Sequence, residues 1–237
     1  MLPPDLAAFT FSLDRAGTDP AIAARAASTI GKGRILVVGA QRWGLLTALA
    51  ERGVYVTAFD AARSALSAAR ATVDRAGLGD RVTLYAADAR DFDVPGGCDA
   101  AVVPSSAWRP LTHAASRAAM LACLRRALGE RGTLFMDVDC VPAEVPQADT
   151  ALRDGPGRQS WTWRRGSANS TLIVTCAADG VAPRSIEVHD LSPEATAGEL
   201  TAARFDVVSV TNASNRAPYS AASRRAWIVA RPSVAAE

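Results

Sequence analysis

The segment RILVVGAQRWGLLTALAERGVYVTAFD, residues 34–60, decides how the rest of the chain is read. Its opening RILVVG is an unbroken apolar run that stops at Gly39, the pattern of a parallel strand covered on both faces. After a short loop, Leu45, Leu46, Leu49 and Ala50 fall at helical spacing up to Gly53, a residue suited to ending a helix. VYVTAFD then supplies a second strand that ends on a carboxylate. Strand, helix and strand make a βαβ unit, and Asp60 follows Gly39 by 21 residues. That is close to the roughly 20 residues that place an acidic side chain beside the ribose of a nucleotide lying over the first turn.

The alternation continues on the carboxyl side. ARSALSAARATVDRAGL has helical periodicity through Leu66, Ala69 and Val73 and stops at Gly77, and RVTLYAAD runs towards a second strand-end acid, Asp88. Gly96-Gly97-Cys98-Asp99 is a turn, and AAVVPSS a fourth strand that breaks at Pro104. A helix over Ala114 to Leu128 and a fifth strand, GTLFMDVDCV, follow. Strands alternating with helices argue for a parallel sheet with helices on both faces. From Pro142 to Leu191 the period changes. WTWRR, STLIVTCAA and RSIEVHDL are short and rich in β-branched or aromatic residues, and the turns RGSANS and ADGVAP separate them, which predicts a three-stranded antiparallel insertion. Pro193 opens a helix, and FDVVSVTN and SRRAWIVARP close the chain as two strands. Before the first strand, Asp19-Pro20 starts a helix of small residues.

These residues resemble the class I S-adenosylmethionine-dependent methyltransferases. The inserted sheet, then Ser192-Pro193-Glu194, the later Glu199-Leu200 pair and the Ala203-Arg204-Phe205 corner are similar to the small-molecule N-methyltransferase branch of that family. The resemblance implies an α/β, doubly wound, seven-stranded and mostly parallel Rossmann-like sheet with a small antiparallel β insertion. It divides the chain into an N-terminal helical lid (1–33), a cofactor-binding half (34–141), the insertion (142–191), and a helix with a closing hairpin (192–237). It implies S-adenosylmethionine as cofactor, with Gly39, Ala40 and Gln41 in the first loop, Asp60 at the ribose, and Asp88 and Ala89 at the adenine, where a carboxylate suits an amino group because it only accepts. Pro104 opens the loop that lies beneath the transferred methyl in the family.

Four departures stand out. The family's first loop carries three alternating glycines; setting Gly39 on the first puts Gln41 and Trp43 where the others stand, while a one-residue gap lets Gly44 serve as the third. Each lost glycine adds a Cβ and removes easy access to positive φ, and an indole must either turn away or fill the cofactor's space. The loop Pro104–Leu111 has no Asn-Pro-Pro-aromatic signature, which argues against adenine or glutamine as substrate. It also has Arg109-Pro110 where many small-molecule N-methyltransferases carry an Asn/Gln-His pair. The lid segment has no tyrosine, so its large side chains are Phe9 and Phe11.

Composition narrows the partners. The 237 residues suit one α/β domain with an insertion, and the formal net charge of +2 arises from 26 basic and 24 acidic residues spread along the chain. No basic patch calls for nucleic acid or an anionic membrane. Among the 26 basic residues only Lys32 is a lysine, a coding bias and not an arginine code. Cys98, Cys123, Cys140 and Cys176 show no C-x-x-C and no His at zinc spacing, so they read as free thiols with no metal site. The first residues lack a basic start and an apolar core of signal length, and no stretch is long enough to span a bilayer. The expectation is a cytoplasmic protein with a small-molecule substrate. A homodimer through the inserted sheet is a further implication of the resemblance.

Methyl transfer from a sulfonium has a neutral leaving group, so positioning the nucleophile and removing its proton suffice. Two histidines are candidates for the base. His189 shares a strand face with Glu187 and Leu191 and ranks ahead of His113, which stands at a helix start. Trp108, Trp161 and Trp163 would wall a substrate pocket, with Arg109 beside them; Arg164 and Arg165 would meet an acidic substrate. Two readings follow: a small-molecule methyltransferase of a biosynthetic, secondary-metabolite pathway, or a protein that keeps the fold and transfers no methyl, such as a cofactor-independent cyclase or isomerase or a silent partner subunit. Gln41, Trp43 and Pro110 motivate the second.

Overall fold

A computed structural model describes residues 18–139, 150–153, 158–165, 171–178, 181–213, 215–220, 223 and 225–234. The lid residues Phe9 and Phe11 lie outside them. The first helix, α1, is Thr18–Ile30. Strand β1 (Arg34–Val38) follows, then α2 (Trp43–Ala50), β2 (Tyr55–Asp60), α3 (Arg63–Arg75) and β3 (Val82–Ala86). Next come β4 (Ala100–Val103), a one-turn helix α4 (Ser105–Trp108), α5 (Ala114–Leu128) and β5 (Thr133–Asp139). Where a loop was expected after β4, Pro104 takes an extended backbone (φ −66°, ψ 151°) and its carbonyl accepts the N–H of Ala107 at 2.9 Å and of Trp108 at 3.2 Å, which turns the chain into α4.

Among the described residues the insertion has four strands and not three: β6 (Thr150–Arg153), β7 (Arg158–Arg165), β8 (Thr171–Ala178) and β9 (Val181–His189), paired antiparallel in that order. The extra strand, β6, pairs Thr150 with Trp161 and Arg153 with Arg158; its four residues are too short to show an alternation in sequence. The chain then forms α6 (Pro193–Ala202), β10 (Phe205–Asn212) and β11 (Arg225–Pro232). Ser192 caps α6, its side chain accepting the N–H of Ala195 at 3.1 Å, with Pro193 in the first turn.

The main sheet runs β10-β11-β5-β4-β1-β2-β3. Pairings from β5 through β3 are parallel, and β11 is antiparallel to both β5 and β10. Alternation along β1 explains the two layers. Ile35 and Val37 join the buried cluster that holds Leu45, Leu49 and Val73, whereas Leu36 and Val38 join the one that holds Leu121, Leu124 and Phe205. From β1 the chain first builds one way, through β2 to β3, and then the other, through β4 to β5. The strand order therefore reverses between β1 and β4, and a crevice is expected beyond their carboxyl ends. Helix α1 does not line that crevice. Its Ile22, Ala23 and Ala26 belong to the cluster with Leu46 and Trp227, on one face of the sheet.

Candidate active site

The crevice expected from the strand order is present, with a volume of about 640 Å³, and the loops after β1, β2, β3 and β4 line it. Gly39 starts the first loop with φ +86°, the left-handed region that a Cβ disfavours. Its N–H donates to Phe59 O at 3.0 Å, which ties the loop to β2. Asp60 then couples two loops: Oδ2 accepts the N–H of Ala40 at 3.0 Å and Oδ1 that of Ala62 at 2.8 Å. Burial pushes the Asp60 carboxyl above the usual aspartate value, partly offset by the N–H groups of Ala62, Ala40 and Ala61.

The missing glycines do not distort the loop. Gly39 is the one residue between 39 and 44 with positive φ; Gln41 and Trp43 use ordinary backbone, and Gly44 lies inside α2. Trp43 opens that helix with 47% of its surface exposed and does not border the crevice, so the indole turns away from it. Gln41 lines the crevice.

On the opposite wall, Asp88 holds Arg90. The Arg90 N–H and Nε donate to Oδ1 at 2.8 and 2.9 Å, and Nη2 donates to Oδ2 at 2.6 Å. The paired guanidinium pulls the Asp88 carboxyl down to about 2, so it is an acceptor over the whole neutral range. Asp88, Ala89 and Arg90 all line the crevice. Phe59 also lines it, backed by Phe92 at 4.5 Å and Tyr85 at 5.6 Å between ring centroids, so the wall between the two acids is apolar.

The far side is α4 and the loop from α4 to α5. Ser106, Ala107, Pro110, Leu111, Thr112 and His113 face the crevice. Arg117, buried in α5, fixes that loop. Its Nη1 donates to the carbonyls of Leu111 and Thr112 at 2.7 and 3.0 Å, while Nε and Nη2 reach the Glu199 carboxylate of α6 at 2.7–3.1 Å. The guanidinium lies 6.0 Å from the centre of the Trp108 ring. His113 is the exposed N-cap residue of α5, and its carbonyl accepts from Ser116 and Arg117.

Several expected residues stand elsewhere. Trp108 is 1% exposed and packs in the buried cluster with Met120 and Leu121, outside the crevice lining. Pro104 is buried as the N-cap of α4 and does not border the crevice. His189 is 5% exposed and lies outside the crevice lining, whereas His113 borders it. Its N–H donates to Arg109 O at 2.7 Å, and Arg109 Nε donates back to His189 O at 3.1 Å with Asp190 at 3.7 Å. Arg109 is thus a buried fastener between α4 and the root of the insertion. Trp161 and Trp163 lie on β7, and their side chains, like those of Arg164 and Arg165, fall outside the described residues. Sequence reasoning missed Arg63, Ser106, Thr112 and Ser116 on the lining, since each is a common polar residue in a loop or first helical turn.

Residues 35–132, from β1 to the turn before β5, match the family described as a methyltransferase domain. The match covers that segment, and the fold is the one class I methyltransferases have. No curated protein sequence matches the chain. Among solved structures, the CcbJ methyltransferase from Streptomyces caelestis aligns with a TM-score of 0.81 at 14% identity over 92% of this chain and 91% of that one. An S-adenosylmethionine-dependent methyltransferase from Clostridium acetobutylicum gives 0.79 at 13% identity, covering 94% of each chain. CalS10, an amino pentose methyltransferase from Micromonospora echinaspora involved in calicheamicin biosynthesis, gives 0.72 at 18% identity, covering 97% and 96%.

Proposed function

We propose that this chain transfers a methyl group from S-adenosylmethionine to a small molecule of a biosynthetic pathway, with the cofactor in the crevice described above. The observation that carries the reading is that Gly39, Asp60 and the Asp88–Ala89 pair line one open space while Trp43 points out of it. Asp60 is the acceptor for ribose hydroxyls, Asp88 the acceptor for an adenine amino group, and the Gly39–Gln41 backbone the cradle for the methionine end. When bound, the cofactor supplies an electrophilic methyl on a sulfonium with a neutral leaving group. The chain's own task is to hold the acceptor in line, exclude water and take up one proton. An imidazole nitrogen of His113, on the crevice margin, is the group we assign to that proton. The small-molecule and biosynthetic parts of the reading take their support from likeness to proteins such as the amino pentose methyltransferase.

Calorimetry or a thermal shift with S-adenosylmethionine and S-adenosylhomocysteine tests the reading. A ligand at a hundred times its dissociation constant adds about 2.7 kcal/mol of stability, which moves the melting curve by several degrees. If neither ligand moves it at millimolar concentration, the reading is overturned and the fold alone stands.

A further inference from the structure

Strand β5 is apolar over Leu134, Phe135, Met136 and Val138, and Asp137 in its midst is fully buried. Arg225, at the start of β11 and 5% exposed, meets it through Nε on Oδ1 and Nη2 on Oδ2. A second guanidinium comes from the first loop: Arg42, 7% exposed, places Nη1 3.9 Å from Asp137 Oδ2. A buried cation is tolerated only where it is paired, and the planar fork of arginine suits a shared carboxylate.

The position of Arg42 gives this cluster a role. It is the N-cap residue of α2 (φ −91°, ψ 56°), and its carbonyl accepts the N–H of Leu45 at 2.9 Å and of Leu46 at 3.2 Å. β4 lies between β1 and β5 in the sheet, so the Arg42 side chain reaches from the loop after β1 across to the second strand over. Ala40 and Gln41 therefore sit between two anchors, the Asp60 carboxylate on one side and the Asp137 carboxylate on the other. We propose that Arg42 is a positioning residue: through Asp137 it holds the Ala40–Gln41 backbone against the crevice. This rests on the reading of the crevice as the cofactor site.

The test compares Arg42→Met and Arg42→Lys with the unaltered full-length chain. Arg42→Met leaves Asp137 its two contacts with Arg225, so the buried carboxylate stays paired. In the ligand-free protein, hydrogen exchange at residues 40–46 is expected to speed up about tenfold in Arg42→Met, with β1 and β2 unchanged. By calorimetry, S-adenosylhomocysteine binds about tenfold more weakly to Arg42→Met, adenosine binds as before, and Arg42→Lys lies between. Unchanged exchange and unchanged affinity in Arg42→Met overturn the proposal. Equal loss for both nucleosides with faster exchange throughout the chain also overturns it, as that marks a merely structural residue. An unaltered chain that binds neither nucleoside overturns the functional reading, and the exchange measurement still decides whether Arg42 holds the loop.

Discussion

Two aspartates in one crevice differ because their surroundings differ. Asp88 is a third exposed and paired to Arg90, which lowers its carboxyl to about 2. A depressed folded pKa gives stability that is present above the unfolded value and lost as pH falls through the folded one. For Asp88 that window runs from 3.8 down to about 2. Arg90→Ala is expected to return the Asp88 midpoint towards 3.8, read by carboxyl-carbon NMR. Asp60 goes the other way. Its raised folded pKa gives a contribution that is full below the unfolded value and lost as pH rises through the folded one, so its ionisation opposes folding at neutral pH. The ionised form is the one that serves as a two-fold acceptor. Affinity for S-adenosylhomocysteine should therefore weaken on acidification before an ordinary aspartate would protonate. Asp60→Asn should weaken binding by about ten- to a hundredfold and remove that pH step, as followed by calorimetry between about pH 4 and 7.

The elements around the crevice are held by charge at a few joints. Arg117 links α5 to α6 and also carries two carbonyls of the 111–112 loop, so one side chain sets both a helix packing and a crevice wall. Glu199 keeps 27% of its side-chain surface in water, which limits the penalty of leaving it alone. Arg117→Met is expected to cost about 1–3 kcal/mol in urea unfolding and to loosen the loop before His113. The second joint is the mutual pair between Arg109 and His189, which fastens the insertion's last strand to the end of α4. Neither joint has a local signature: Arg117 and Glu199 are 82 residues apart, Arg109 and His189 are 80 apart, and periodicity sees only one helix or strand at a time.

At the scale of the whole molecule, β11 lies between β5 and β10 and its Trp227 joins elements that the sequence separates widely. The indole is 1% exposed, stacks on Phe135 at 5.5 Å, lies 5.3 Å from the Arg25 guanidinium of α1, and shares a cluster with Ile22 and Leu46. Trp227→Ala should cost about 3–5 kcal/mol in denaturant unfolding, with α1 the first element to lose hydrogen-exchange protection. No helix among the described residues is long and apolar enough to cross a membrane.

Residues 34–60 alone determined the βαβ unit, since an unbroken apolar strand, a helical stripe and a second strand leave one way to bury all three. They also marked Gly39 and Asp60 as facing one space, because strand ends and a fixed spacing are local properties. The same reasoning reached Asp88 and the helix opened by Ser192-Pro193. Only the tertiary structure decided where Trp43, Trp108 and His189 point, and that Arg42 meets Asp137. A side chain's direction depends on which neighbour is packed beside it, and those neighbours come from distant parts of the chain. The fourth inserted strand belongs to the same class: β6 is recognisable through its pairing with β7 and through nothing in its own four residues.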